Sequence, residues 1–143
     1  MRTHIGQFMK GQYSGELNAS KMMAPFITIE QYGRPGWVDA DDLDLDADRR
    51  MAKRGLARSM AAMLSGDYDL VILDEINTAH FCRLVSLKEM FELIVAKPDG
   101  VELVFTGRYA PRELIAEADL VTEMTPVKHY YDRGVPARDG IER

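Results

Sequence analysis

The sequence contains a single cysteine, Cys82, a single tryptophan, Trp37, and no apolar run near the ~20 residues that a membrane-spanning helix needs. One cysteine excludes an internal disulfide framework and suits a reducing cytoplasm. Positive charge is not in excess: 18 Lys and Arg against 23 Asp and Glu give a net charge of −5. No global basic field therefore points to nucleic acid or to an anionic membrane surface. The opening residues, MRTHIGQFMKG, lack the apolar segment of a secretory signal. The histidines His4, His80 and His129 are too far apart for zinc spacing, and no G-x-S-x-G elbow occurs. Also lacking is G-x-x-x-x-G-K-[ST], the glycine-rich loop whose backbone N–H groups cradle phosphates.

That last absence stands beside a feature that normally accompanies the loop. In DYDLVILDEIN (67–77), four aliphatic residues, Leu70 to Leu73, end abruptly in Asp74 and Glu75. A buried parallel strand delivering two carboxylates to a nucleotide edge has this form, that of a Walker B strand. Hard cations such as Mg²⁺ favour such oxygen ligands. A solvated strand end that happens to be acidic is the plainer alternative.

The 143 residues, 46% hydrophobic, fit one domain spanning 1–143 with a substantial core. The pattern alternates. THIGQF (3–8) and FITIEQY (26–32) predict strands, with loop and a short helix between them. Ala52, Leu56, Met60 and Leu64, with Met63, line one face of a helix that stops before Gly66. The acids Asp39, Asp41, Asp42, Asp44, Asp46 and Asp48 suit the positive end of that helix. Their D-x-D-x-D spacing is not a calcium loop, because Arg49 and Gly55 stand where glycine and glutamate are required. Ser86 and Glu89 form a capping box opening a helix to Lys97-Pro98. VELVFTG (101–107) predicts a fully buried strand, Pro111 starts a helix through Ala118, and residues 119–124 read as a last strand. Strands separated by helices imply an α/β fold with a parallel sheet covered on both faces.

In such sheets ligands bind beyond the carboxyl ends of the strands. Three strands carry suggestive residues there: Lys10-Gly11, Asp74-Glu75 and Thr106-Gly107-Arg108. Arg108 and Lys10 offer positive charge to phosphate, Arg108 in bidentate form. Trp37, in a loop after the second strand, either packs or stacks on a flat cofactor. Cys82 has no activating neighbours in sequence and reads as buried and inert.

QFMKG (7–11), YGRPGW (32–37), LVILDEIN (70–77), VELVFTGRYAP (101–111), ADLVTEM and KHYYDRGVPARDGIE (128–142) follow one another in this order. Together they resemble the corrinoid adenosyltransferases built on a RecA-like P-loop fold. Family members carry a strand and a G-x-G-K-G-K-T-T loop before QFxKG. The resemblance therefore implies a RecA-like, P-loop NTPase-type sheet missing its first strand and first helix. It implies transfer of the 5′-deoxyadenosyl group of ATP to Co(I) of a corrinoid, with Mg²⁺, in a cytoplasmic homodimer served by a flavoprotein reductant. By the same resemblance, Glu75 and Asp74 take the catalytic and Mg²⁺-holding roles, Arg108 touches phosphate, Lys10 lies beside the nucleotide and Trp37 near the corrinoid. Pro35 stands where some members have a second aromatic. A non-catalytic relative that binds a corrinoid or a partner, having lost the phosphate loop, is the alternative, and a general NTPase is a third.

Overall fold

The computed structural model describes residues 1–12, 14–35, 45–138 and 141. Four strands, β1 (Thr3–Phe8), β2 (Ile27–Tyr32), β3 (Leu70–Asp74) and β4 (Glu102–Phe105), form one sheet of order β2-β1-β3-β4. Every pairing is parallel. The helices are α1 (Gly15–Met22), α2 (Leu45–Leu64), α3 (Ile76–Phe81), α4 (Leu87–Ala96) and α5 (Arg112–Glu117), followed by a 3₁₀ turn at Tyr130–Arg133.

Handedness distributes the helices. The β1-α1-β2 crossover moves one way along the sheet and the β2-α2-β3 crossover the other, so right-handed connections put α1 and α2 on opposite faces. The β3-to-β4 connection runs in the same sense as the second and returns α4 to the α2 side. That side holds the core: Phe8, Val71 and Leu73 from the strands, Ala52, Leu56 and Met63 from α2, and Met90 and Leu93 from α4. The Ser86–Glu89 capping box opens α4 as expected. Asp46 and Asp48 lie in the first turn of α2, where the helix dipole favours them. Asp39, Asp41, Asp42 and Asp44 lie outside the described residues.

Three expectations are corrected. Leu64 is 56% exposed, because the helical row drifts off the sheet in the last turn of α2. β4 is not fully buried: it alternates exposed and half-buried residues, since it is an edge strand whose Val104 faces away from α4. Residues 119–124 form no strand, and Leu120 and Val121 are exposed.

The face opposite α2 is thinly covered. Ile5, Ile27, Ile29, Leu70 and Ile72 share it by register with Val104, and the first five are only half-buried. The eight-residue α1 covers the β2 side of that face.

At the carboxyl end of the sheet the loops after β1 and β2 meet backbone to backbone. A Cβ on Gly11 would lie 2.1 Å from the Gly33 carbonyl oxygen, and one on Gly33 would lie 2.3 Å from the Lys10 nitrogen. Both neighbours are main chain and cannot swing aside. Gly33→Ala is expected to destabilise the chain by about 3 kcal/mol, read as a lower urea midpoint with an unchanged slope. An unaltered midpoint would show that the loops part freely.

Candidate functional site

Among the described residues, four non-glycine residues adopt left-handed backbone conformations: Met9, Glu75, Arg83 and Tyr109. Three of them follow the carboxyl ends of β1, β3 and β4. Such conformations cost of order 1 kcal/mol or more each and gather where a structure holds functional groups in place. The sheet edge that the sequence marks is thus also where the backbone is most strained.

The two acids are fixed by threonines. The Thr106 hydroxyl donates to Asp74 Oδ1 at 2.8 Å and accepts the Glu75 N–H at 3.0 Å. Thr106 extends the β3–β4 ladder, its N–H donating to the Leu73 carbonyl, and its own carbonyl accepts the Asn77 N–H. Glu75 (φ 61°) caps α3 with its carbonyl, which accepts the Ala79 N–H at 2.9 Å, while its side chain makes no bond to that helix's backbone. Its Oε2 instead accepts the Thr78 hydroxyl, and Thr78 Oγ1 accepts the Arg108 N–H at 3.1 Å. Gly107 between them has φ 119°, and a Cβ there would lie 3.0 Å from both the Thr78 nitrogen and its Oγ1. Only glycine suits that turn. The outcome is one connected unit of Asp74, Glu75, Thr78, Thr106 and the Gly107–Arg108 backbone, which the sequence indicated except for Thr78. A threonine three residues after Glu75 on a helix was the available signal.

Lys10 lies at the same edge but is engaged. Its ammonium pairs with Glu16 of α1, which also accepts from Gln7 Nε2 at 3.1 Å, and Gln31 in turn donates to Gln7. Burial pushes the Glu16 carboxyl up, but hydrogen bonds from Lys10, its own backbone and Gln7 outweigh it and hold the pKa at about 2. A depressed carboxyl stabilises the fold above its ordinary pKa of 4.5, and that contribution is lost as pH falls toward 2. Glu16→Gln should therefore lower thermal stability at neutral pH, with the difference from the parent vanishing on acidification through that window. A pH-independent difference would contradict the charged pairing.

The Arg34 guanidinium donates to Asp48 Oδ1 at 2.9 Å, tying the loop after β2 to the start of α2. Trp37, further along that loop, lies outside the described residues. Cys82 is partly buried where the sequence suggested full burial, and that burial raises its thiol pKa, in keeping with an inert side chain. A shallow cavity of about 180 Å³ lined by His4, Glu30, Arg58 and Tyr68 opens toward the amino ends of β1 and β3, away from the carboxylates.

The family of ATP:corrinoid adenosyltransferases BtuR/CobO/CobP matches residues 1–143. The chain belongs to this family. A corrinoid adenosyltransferase of Pseudomonas aeruginosa is 40% identical over 145 residues, covering 99% of this chain and 70% of that protein. The corrinoid adenosyltransferase CobA of Salmonella typhimurium is 32% identical, covering 96% and 69%. An uncharacterised Nostoc protein, all2391, is 42% identical over 82 residues, which are 57% of this chain and 22% of that protein. For a corrinoid adenosyltransferase-family chain, the four-stranded parallel sheet with helices on both faces is the expected frame. Among the described residues no helix is long and apolar enough to cross a membrane.

Proposed function

We propose that this chain transfers the 5′-deoxyadenosyl group of ATP to the cobalt of a reduced corrinoid. The observation that carries this reading is the family match along residues 1–143. Co(I) supplies the electron pair that forms the Co–C5′ bond, the C5′–O bond breaks, and tripolyphosphate leaves with that bond's electrons. The protein's work is then to bind, orient and neutralise charge. Arg108 serves a phosphate group, Lys10 stays beside the nucleotide under the hold of Glu16, and Trp37 packs near the corrinoid.

The acids suit Mg²⁺. Thr106 and Thr78 occupy one oxygen of each carboxylate, leaving Asp74 Oδ2 and Glu75 Oε1 without a hydrogen bond among the described residues. No group of three or more His, Cys, Asp or Glu able to hold a metal occurs among those residues. Two carboxylates, completed by water and phosphate oxygens, are how this ion is usually held. When bound, it would offset the negative charge of the triphosphate. A cytoplasmic homodimer, with an external flavoprotein donating the electron that reduces Co(II) corrinoid to Co(I), completes the reading.

The test is an anaerobic assay with ATP, Mg²⁺ and a pre-reduced corrinoid. One tripolyphosphate should appear for each adenosylated corrinoid. Release of single phosphate would identify a hydrolase instead, and corrinoid binding without product would identify a non-catalytic relative. Trp37→Ala should lose more activity with Co(II) corrinoid, whose lower axial ligand must be removed before reduction, than with Co(I). Equal losses would assign Trp37 to packing.

A further inference from the structure

We propose that Thr78 is a positioning residue whose single hydroxyl sets the Glu75 carboxylate and the Arg108 loop in one fixed relation. The residue's role in adenosyl transfer rests on the function proposed above; the geometry does not. A threonine hydroxyl has one hydrogen and two lone pairs. An ionised carboxylate can only accept and a backbone N–H can only donate, so the polarity has one solution. The hydroxyl gives its hydrogen to Glu75 Oε2 and receives the Arg108 N–H. Neither bond can be reversed, and a side chain that only donates or only accepts satisfies one end at the expense of the other.

The local fold leaves this hydroxyl available. In longer helices a threonine hydroxyl often turns back to a carbonyl one turn earlier. Thr78 is the third residue of the short α3, and the residue preceding that helix is Glu75 itself. A cap residue commonly uses its side chain to accept from the backbone N–H three positions on. Here the Glu75 side chain accepts from the side chain at that position, with no cap bond to the backbone. Its carboxylate is thereby directed by Thr78 and not spent on the helix end. Gly107 packs directly on Thr78, so the β4–α5 turn follows wherever that residue sits.

Thr78→Val keeps the branched shape and removes both bonds, whereas Thr78→Ser keeps the hydroxyl and removes a methyl. Two measurements on the full chain separate the roles. Amide hydrogen exchange, read by NMR without any substrate, should accelerate about tenfold at Arg108 in Thr78→Val and return toward the parental rate in Thr78→Ser. Steady-state kinetics should show kcat reduced about tenfold or more in Thr78→Val with the corrinoid KM little changed, and serine should restore kcat. Thr78→Ala provides a second hydroxyl-free variant should valine perturb packing. Unchanged Arg108 exchange in both hydroxyl-free variants overturns the proposal, as does a serine variant that loses as much as valine. A parent chain without transfer activity, but with Arg108 exchange dependent on the hydroxyl, would sink the proposed function and leave the Thr78 linkage standing.

Discussion

Glu75→Gln is expected to lower the proposed adenosyl transfer by roughly 100-fold while leaving the thermal midpoint near that of the parent. The size of the loss follows from charge placed in a strained, prearranged position. Glu75 sits at φ 61°, and its carboxylate is oriented by Thr78 through Oε2. Glutamine keeps the length of the side chain and can present its amide oxygen to the same hydroxyl, so the turn remains folded. What would disappear is the negative charge that the proposed Mg²⁺ and nucleotide roles require. The Glu75 main-chain N–H still donates to the Thr106 hydroxyl after the substitution. Turnover at the parental rate would return Asp74 and Glu75 to a solvated strand end.

A polypeptide of residues 1–143 is expected to bind ATP–Mg²⁺ only weakly, with Kd in roughly the millimolar range. Triphosphates are gripped in this fold class chiefly by the concave row of backbone N–H donors in a glycine-rich loop and its lysine. No G-x-x-x-x-G-K-[ST] run occurs within these residues. Arg108 can supply charge, but the Lys10 ammonium is already shared with Glu16. Each missing charge-assisted hydrogen bond is worth about 1.5–3 kcal/mol, so several of them amount to orders of magnitude in affinity. Calorimetry decides the matter. Micromolar affinity would require another segment of these residues to provide the cradle, and transfer assays on this polypeptide should therefore be run at high ATP.

The strands and the acid edge were legible in sequence because their signals are local. LVILD reads as a parallel strand from its aliphatic run alone, and it is one, β3, ending at Asp74. THIGQF matches β1 residue for residue. Exposure was less legible. VELVF has the composition of a central strand, yet whether a strand has neighbours on both sides depends on the rest of the sheet, and β4 lies at the edge. ADLVTEM offers the strand formers Val121 and Thr122 among residues that disfavour strands, and without a hydrogen-bonding partner it forms none. The candidate site divides the same way. Asp74, Glu75 and Arg108 were visible as motif residues, while Thr78 acquires meaning only once the Gly107–Arg108 turn is folded against α3. The engagement of Lys10 by Glu16 was likewise hidden, because it depends on how α1 returns beside β1.

The glycine contact between the loops after β1 and β2 has a thermodynamic consequence. With Gly11 against the Gly33 carbonyl and Gly33 against the Lys10 nitrogen, neither loop can change curvature without displacing the other. If the Lys10 loop serves the nucleotide and the Gly33 loop, which continues toward Trp37, serves the corrinoid, the two ligands act on one shared mechanical coordinate. Linkage then requires reciprocity: whatever factor bound nucleotide adds to corrinoid affinity, bound corrinoid adds to nucleotide affinity.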